Sequence, residues 1–439
     1  MPQPRPARIL IVDDSAVMRA LLRSVAAIDK RLEVAGTASD GASALRVVES
    51  LRPDLILLDV EMPVMDGLQT LRQMKARGIR VPVIMCSGLT QRGAKVTIEA
   101  LASGAADYVA KPSGQPSRDA AIHALAQDLV PKILALTAYA TGSHDPAPAH
   151  ASAFPPAPPS GAAFPGVPGS AWPANAKPAN SGLANPSSTN PSSSNSASVN
   201  PALPHLLPGY TPSSSLFQGG LPPINPLPAA GAPPAVLLIG VSTGGPAALD
   251  VILPALPASF PLPVLVVQHM PELFTKLLAE RLNGRCPLRV SEAAPGEPVR
   301  PGTIYIARGD WHMEVAATSS SAASIPVLRL TQEPPENHCR PAVDVLFRTG
   351  VAVYGAKVLG VILTGMGYDG LVGSRLIREH GGTVLAQDQA TSAVWGMPGA
   401  VAQAGFAHRI LPLNAIAPEI LRLIGRGQRE AFELRESAV

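Results

Sequence analysis

Short aliphatic runs alternate with helix-like stretches in two separate parts of the chain. In the first part, the aliphatic runs are Arg8–Val12, Leu55–Leu58 and Val83–Cys86. Buried aliphatic strands that alternate with helices are typical of a parallel sheet covered on both faces. The second part repeats this pattern, and its strand candidates are Val236–Ile239, Pro263–Gln268, Thr303–Ala307, Val358–Leu363 and Thr383–Gln387. The pattern predicts an α/β protein with two doubly wound parallel-sheet domains.

A sharp change in composition separates the two parts. Residues 141–230 contain 20 of the 48 prolines but only two charged side chains, Asp145 and Lys177. Such a segment buries too little apolar surface to offset the entropy lost on ordering. We therefore predict a folded domain over residues 1–139, a long disordered linker rich in Pro, Ser, Ala and Asn over 140–233, a second domain over 234–428 and a short tail over 429–439.

Charge and cysteine content exclude several classes of protein. The chain has 35 Lys and Arg against 32 Asp and Glu, a net charge of +3, so nothing indicates nucleic-acid binding. The three cysteines, Cys86, Cys286 and Cys339, are scattered and form no CxxC pair, so their spacing indicates neither a disulfide framework nor a zinc site. No stretch reaches the roughly 18 apolar residues that span a bilayer. We expect a cytoplasmic protein without direct membrane insertion.

Three carboxylates follow predicted strands in the first part of the chain. Asp13 and Asp14 come directly after the first strand, and Asp59 ends the strand candidate that begins near Leu55. The carboxyl ends of parallel strands meet at one edge of the sheet, where carboxylate oxygens could hold Mg²⁺. Ser87 and Lys111 close two later strands, and a lysine there could pair with a phosphoryl group. For each acidic residue taken singly, a solvated loop cap is the alternative.

Together these residues resemble a two-component receiver domain over residues 7–128. The match includes Glu61 in the segment after Asp59, as well as the Lys111-Pro112 pair. The resemblance implies that Asp59 is the phosphoacceptor, and that Asp13, Asp14 and Asp59 hold Mg²⁺ with the carbonyl of Glu61. It also implies that Ser87, Tyr108 and Lys111 form the phosphorylation switch. Packing at the end of the sheet is the alternative role for Tyr108.

In the second part, a serine lies between a predicted strand and a predicted helix. The segment Gly240–Gly245 (GVSTGG) contains the pattern Gly-x-Ser-x-Gly, which can lift the hydroxyl of Ser242 clear of the sheet. A glycine-rich turn that only packs or binds phosphate is the alternative. A serine nucleophile needs a base within hydrogen-bond reach and a third group that orients the base.

Two further residues at strand ends supply these groups. His269 follows the strand Pro263–Gln268, and Asp369 lies in the loop after Val358–Leu363, so both should reach the sheet edge that carries Ser242. The histidines that compete with His269 for the role of base are His312, His338 and His380. His380 falls at a helix end, and His338 falls in a loop ahead of a helix.

The segments GVSTGG, QHMP (268–271), RPAVDVLF (340–347) and LTGMGYDG (363–370) together resemble the effector domain of the chemotaxis protein-glutamate methylesterases, over residues 234–425. The resemblance implies that Ser242 attacks a glutamate methyl ester, that His269 takes its proton and that Asp369 orients the imidazole. The N–H of Met366, with help from Thr243, would bind the oxyanion. Core packing explains most of the segment 340–347, and no metal is required for this reaction.

The resemblance also implies regulation and partners. In this family the unphosphorylated receiver covers the esterase site, methylated chemoreceptors are the substrates and a histidine kinase is the phosphodonor. The linker of about 90 residues is longer than expected, and a long tether lowers the effective concentration of one domain at the other. We therefore expect weaker inhibition, with some basal activity, unless the interface compensates.

Three alternatives remain open at this point. The same acyl chemistry on a carboxamide would make the protein a glutamine deamidase on the same receptors. An esterase that serves a receptor array outside chemotaxis has the same sequence pattern. A response regulator whose second half only binds, as a scaffold or transcription factor, is the third alternative, although no helix-turn-helix pattern or basic patch supports DNA binding.

Overall fold

The computed structural model describes residues 5–88, 90–112, 115–138, 233–318 and 325–436. The predicted linker, residue 233 apart, lies outside these described residues. The structure confirms the two predicted parallel-sheet α/β domains, here called the first domain (strand β1 to helix α5) and the second domain (strand β6 to helix α11). The exact domain boundaries stay predictions.

The first domain is a five-stranded parallel sheet in the order β2-β1-β3-β4-β5. Leu10 and Val12 pack into one hydrophobic cluster, and Ile9 and Ile11 pack into another, so successive side chains of the first strand are buried on opposite faces of the sheet. Its elements are β1 (Ala7–Val12), α1 (Ala16–Ala26), β2 (Leu32–Ala38), α2 (Gly41–Leu51), β3 (Leu55–Asp59), α3 (Gly67–Ala76), β4 (Val83–Ser87), α4 (Gln91–Ala102), β5 (Asp107–Ala110) and α5 (Arg118–Ala138).

The second domain is a seven-stranded parallel sheet in the order β14-β13-β12-β6-β7-β9-β8, and an antiparallel hairpin of β10 and β11 is attached to it. Its strands are β6 (Val236–Val241), β7 (Val264–Gln268), β8 (Arg289–Glu292), β9 (Thr303–Ile306), β10 (His312–Ala316), β11 (Val327–Thr331), β12 (Val358–Ile362), β13 (Thr383–Gln387) and β14 (Arg409–Leu411). Its helices are α6 (Gly245–Ile252), α7 (Glu272–Asn283), α8 (Val343–Tyr354), α9 (Leu371–Glu379), α10 (Met397–Gln403) and α11 (Leu413–Glu436).

The two domains pack against each other. Helix α4 of the first domain contacts α6 and α7 of the second, and one hydrophobic cluster contains buried residues of both domains. The rings of Tyr108 on β5 and Phe274 on α7 are stacked, with their centroids 4.5 Å apart. Both rings are buried, so each domain buries apolar surface of the other.

Among the described helices, none combines the length and the apolar character needed to cross a bilayer.

Candidate functional site

Three neighbouring strands of the second domain bring the predicted triad residues to one edge of the sheet. Strands β12, β6 and β7 are adjacent, and Val241 on β6 is paired with Gln268 on β7. Ser242 and His269 are the next residue of each strand, so the register places them side by side. The loop after β12 reaches the same edge, where the N–H of Ser242 donates to the carbonyl of Thr364 at 3.0 Å.

His269 and Asp369 are in direct contact. The imidazole Nε2 lies 2.8 Å from the Asp369 carboxylate oxygen Oδ2, although 100 residues separate the two in sequence. Because Nε2 is bound to the carboxylate, Nδ1 is the ring nitrogen that remains to accept a proton. Burial alone would lower the pKa of His269, but the hydrogen bonds with Asp369 and Cys339 outweigh it and raise that pKa to about 10.

The Asp369 carboxylate is held by donors from three segments. The N–H groups of Val343 and Asp344, at the start of α8, donate to it at 2.6 and 3.1 Å. The Asn337 amide donates to it at 2.8 Å, and the N–H of Gly370 donates at 3.0 Å. Burial opposes ionisation of Asp369, but His269 and these donors lower its pKa below the usual value. Asp369, the third member of the predicted triad, is therefore fixed as an anion in one orientation.

A second buried carboxyl group lies beside Asp369. Asp344 accepts a hydrogen bond from the Gly373 N–H at 2.6 Å and another from the Asn337 amide at 2.9 Å. Burial and the negative charge of Asp369 raise the pKa of Asp344 to about 7. Asn337 therefore bridges two carboxyl groups with opposite pKa shifts.

Hydrogen bonds from two neighbouring segments hold the loop that carries Ser242. The Gln268 amide donates to the Ser242 carbonyl at 3.0 Å, and the Thr364 hydroxyl donates to the Thr243 carbonyl at 2.8 Å. Gly244 has a φ of +78°, a left-handed conformation that favours glycine at the turn into α6. A Cβ added to Gly365 would come within 2.8 Å of the Ser242 Cβ. The strand–turn–helix predicted around Ser242 is thus present.

The N–H groups of Met366 and Thr243 lie in the two loops that meet at this edge. Among the described residues, neither N–H donates a hydrogen bond to a protein acceptor. Unpaired backbone donors at a strand end are suited to binding an oxyanion. The Thr243 hydroxyl, by contrast, does not have a free hydrogen for an oxyanion, because it donates to an oxygen of the Asp107 carboxylate in the first domain at 2.5 Å.

The three histidines that compete with His269 lie in other surroundings. His312 is buried on β10, where its Nδ1 accepts from the Ala342 N–H and its Nε2 lies 3.1 Å from the Pro334 carbonyl. His380 is the C-terminal cap of α9 and its Nδ1 contacts the Leu376 carbonyl. His338 is exposed in the loop ahead of α8. Each position matches a structural or solvated role.

Cys339 is a neighbour of the predicted triad, although its position in the sequence does not indicate this. Its Sγ lies 3.5 Å from Nδ1 of His269 and within 4.8 Å of a carboxylate oxygen of Asp369. The thiol is free and partly exposed. Asn337, Cys339 and Asp344 all come from the segment 337–344, which the sequence presents only as a polar turn and the start of an amphipathic helix.

In the first domain, the predicted carboxylates cluster around one lysine. Lys111 Nζ lies 2.8 Å from Asp13 and 2.7 Å from Asp59, and oxygens of Asp13, Asp14 and Asp59 all lie within 4.8 Å of one another. Burial raises the pKa of Asp59, although Lys111 partly opposes this. Burial would lower the pKa of Lys111, but the two ion pairs raise it overall. Three carboxylates facing one cation form a donor set that fits Mg²⁺.

The remaining predicted receiver residues surround this cluster. Ser87 is fully buried at the end of β4, and its carbonyl accepts from the Lys111 N–H at 2.7 Å. Glu61 follows Asp59 closely, and its exposed side chain lies 3.6 Å from Arg92. Tyr108 packs on Phe274 as described above, so its ring fills space at the domain interface.

The interface between the domains reaches the serine loop itself. Besides the bond between Thr243 and Asp107, the Gly244 N–H donates to the Ala106 carbonyl at 3.0 Å. The Met366 side chain packs against a hydrophobic cluster whose buried members, Val394 apart, all belong to the first domain. Thr243 is therefore in contact with the first domain, and Met366 packs against a cluster made mainly of first-domain residues.

Both domains match known protein families. A family model described as CheB methylesterase matches residues 237–420, and one described as response regulator receiver domain matches residues 9–123. A protein-glutamate methylesterase/protein-glutamine glutaminase of a Nocardioides species is 43% identical over 419 residues, which cover 95% of this chain and 96% of that protein. A protein of the same name from Trichodesmium erythraeum is 39% identical over 420 residues, which cover 95% of this chain and 99% of that protein.

Among solved structures, the crystal structure of the Thermotoga maritima CheB methylesterase catalytic domain is 43% identical in sequence. The match covers 43% of this chain and 98% of that one, with a TM-score of 0.42. The full-length relatives establish that similarity extends over both domains.

Proposed function

This chain belongs to the protein-glutamate methylesterase/protein-glutamine glutaminase family, and we propose that it is a phosphorylation-regulated serine hydrolase that removes methyl groups from glutamate methyl esters on chemoreceptors. The observation that carries this proposal is the contact between His269 Nε2 and Asp369, at 2.8 Å, beside the strand end that presents Ser242. A protein that acted only as a scaffold or a transcription factor would not need Ser242, His269 and Asp369 in this arrangement.

The arrangement supports a specific course of reaction. His269 Nδ1 accepts the proton of the Ser242 hydroxyl while the oxygen attacks the ester carbonyl. Asp369 fixes the ring and stabilises the imidazolium that forms. The N–H groups of Met366 and Thr243 donate to the oxyanion. His269 then returns the proton to the leaving methoxide, methanol departs, and water hydrolyses the acyl-enzyme to glutamate with His269 again as base.

The same residues would serve deamidation of receptor glutamines. The carbonyl, oxyanion and acyl-enzyme are equivalent, but ammonia replaces methanol as the leaving group. Protonation of that poorer leaving group depends on imidazolium, and the raised pKa of His269 favours that form. The name of the relatives, which combines both activities, supports this second activity.

Regulation would begin at the carboxylate cluster of the receiver. Asp59 is the proposed phosphoacceptor, a histidine kinase is the proposed phosphodonor, and Ser87, Tyr108 and Lys111 are the proposed switch. Asp13, Asp14 and Asp59, with the Glu61 carbonyl, would hold Mg²⁺, which supplies positive charge against the phosphoryl oxygens. A phosphoryl group on Asp59 would compete with Asp13 for Lys111, whose ammonium now contacts both carboxylates.

The domain interface gives inhibition a physical basis. The receiver contacts Thr243 and Gly244, and Met366 packs against a cluster made mainly of receiver residues, so a substrate carbonyl approaching Ser242 meets the docked receiver. The buried contact between Tyr108 and Phe274 ties the proposed switch to α7, the helix that follows His269. A long linker lowers the effective concentration of the receiver at the esterase domain. These contacts offset that effect because they stabilise the docked state.

Methanol release tests the proposal. The purified full-length chain is incubated with methylated receptor membranes, with and without a small-molecule phosphodonor, beside Ser242→Ala and Asp59→Ala variants. We expect methanol that requires Ser242 and increases with the phosphodonor only when Asp59 is present. Ammonia release from receptors that carry glutamine at the modified positions tests deamidation in parallel. A Ser242→Ala protein that releases methanol at the wild-type rate would overturn the proposal.

A further inference from the structure

The thiol of Cys339 faces the free nitrogen of the catalytic imidazole. Its Sγ lies 3.5 Å from His269 Nδ1, and no described cysteine is in a disulfide. Two reciprocal backbone hydrogen bonds, at 2.9 and 3.1 Å, hold Cys339 to Glu336 and fix the turn that presents the thiol. The thiol is therefore held in place beside the ring by its own backbone.

This separation matches that of two ligands on one zinc ion. Zinc lies about 2.3 Å from a cysteine sulfur and about 2.0 Å from a histidine nitrogen. At a tetrahedral angle these bond lengths put the sulfur and the nitrogen about 3.5 Å apart, which is the distance between Cys339 Sγ and His269 Nδ1. The distance between the two atoms therefore fits one shared ion.

The second ring nitrogen of His269, Nε2, has the partner that a zinc-bound histidine requires. Asp369 accepts from His269 Nε2, so Nδ1 is the ring nitrogen available to a metal ion, which displaces the Nδ1 proton when it binds. Histidines that bind zinc commonly donate their other N–H to a carboxylate, which orients the ring and increases its basicity. Asn337 and the start of α8 hold that carboxylate in turn. A carboxylate oxygen of Asp369 also lies within 4.8 Å of Cys339 Sγ, so Asp369 supports the ring through Nε2 and is near enough to the thiol to be a third donor.

The site is open on the remaining side. The His269 side chain is 13% exposed and Cys339 is partly exposed, so an ion can reach both atoms from the cleft. Solvent water is available to complete a tetrahedral set. A thiol and an imidazole select a soft or borderline ion such as Zn²⁺ over Mg²⁺.

We propose that Cys339 Sγ and His269 Nδ1 form a zinc-binding site at which Zn²⁺ inhibits the esterase. The bound metal ion occupies the lone pair of His269 Nδ1, which would otherwise accept the proton of Ser242. The inhibitory consequence rests on the proposed catalytic roles of Ser242 and His269, whereas metal binding by the pair does not.

Metal binding is measured first on the full-length protein, without substrate. Zn²⁺ affinity is determined by competition with a chromophoric chelator, and Co²⁺ is used as a spectroscopic probe. We expect one Co²⁺ that depends on Cys339 and gives a thiolate-to-cobalt charge-transfer band in the near ultraviolet. Cys339→Ser is compared with Cys286→Ser, because Cys286 is the other partly exposed free cysteine. The Cys339→Ser change should abolish the band and weaken Zn²⁺ binding about tenfold or more, while Cys286→Ser should retain both.

Protection from alkylation provides a test on the unaltered chain. Zn²⁺ should slow alkylation of Cys339 but not of Cys286, as measured by peptide mass spectrometry. Equal affinity of the wild type and Cys339→Ser for Zn²⁺, or no protection of Cys339, would overturn the proposal.

Methanol release at rising Zn²⁺ is then normalised, for each variant, to its own rate in chelator. The expected result is inhibition of the wild type that is relieved in Cys339→Ser. Zinc that binds to Cys339 without inhibiting an active enzyme would contradict the inhibitory role and leave the proposed hydrolase intact. A chain that binds zinc at Cys339 but never releases methanol would contradict the proposed function alone.

Discussion

Thr243, the residue after the proposed nucleophile, donates its hydroxyl hydrogen to Asp107 of the receiver at 2.5 Å. Asp107 precedes Tyr108, which belongs to the proposed switch. The bond is buried, so removing one partner costs more than a surface contact would. It links the proposed switch residue Tyr108 to the proposed nucleophile Ser242, because each of the two bonded residues is adjacent to one of them in sequence.

An Asp107→Ala change should raise the methanol release of the unphosphorylated protein. Loss of a buried hydrogen bond to a charged group costs about 1.5–3 kcal/mol, and about 1.4 kcal/mol corresponds to a tenfold shift of an equilibrium. We expect basal activity to increase roughly tenfold or more and stimulation by a phosphodonor to shrink. Asp119→Ala, a change at an exposed carboxylate on α5, is the matched control. Basal rates that are the same in the two variants would contradict the role of this bond.

The pH dependence of methanol release should follow His269. Its pKa is raised to about 10, mainly because the bonds with Asp369 and Cys339 outweigh burial. The neutral imidazole that acts as base therefore becomes more abundant as the pH rises from neutral, and kcat/KM should increase over this range. Asp369→Asn should lower kcat roughly 10⁴-fold and move the profile to lower pH. Thermal unfolding of the variant controls for misfolding, and a profile that stays in place would argue against this pairing.

Asp344 should make folding less favourable as the pH rises toward neutral. Its pKa is raised to about 7 in the folded protein, by burial and by the charge of Asp369, against an ordinary value of 3.8. The folded state therefore binds more protons than the unfolded state between about pH 4 and 7, and the free energy of unfolding falls across that window. Asp344→Asn should remove this part of the decline. Denaturant unfolding of both proteins at several pH values measures it, and parallel curves would refute the assignment.

Removing the lysine of the receiver cluster should make stability depend more strongly on Mg²⁺. Without Lys111, the buried Asp13 and Asp59 lose the cation that lies 2.8 and 2.7 Å from them. We expect Lys111→Met to lower the unfolding temperature in chelator, and Mg²⁺ to restore more of it than in the wild type. Lys75→Met, at an exposed position on α3, controls for loss of charge. An equal effect of Mg²⁺ on the three proteins would count against a metal site between these carboxylates.

The sequence predicts the parts of the fold that are long, aliphatic and buried. Strands such as β6 and β12 consist of residues that are buried along their whole length, so their hydrophobic runs predict them directly. The hydrophobic pattern does not predict the hairpin of β10 and β11, because Glu314 and Arg329 pair across it and interrupt the apolar run. β8 (RVSE) is missed for the same reason.

Ser242 and His269 lie at strand ends and Asp369 lies in the loop after β12, so topology brings these positions to one edge of the sheet. Asn337, Cys339 and Asp107 are different, because their partners are distant in sequence and no local pattern indicates the contact. Cysteine spacing indicates no zinc site, since the partner of Cys339 is a histidine 70 residues away. The contact between Asp107 and Thr243 could not be predicted, because it depends on how two complete domains dock.

The packing of α4 on α6 and α7 limits how these two domains can be recombined. Receiver domains form a modular family, and a graft of another receiver onto this esterase would keep the phosphorylation chemistry. It would not bring Asp107 to Thr243 or an aromatic ring to Phe274 unless the foreign domain happened to carry both. A substitution at the interface of one domain must therefore be compatible with the residues of the other domain. We expect the two domains to be inherited as a matched pair.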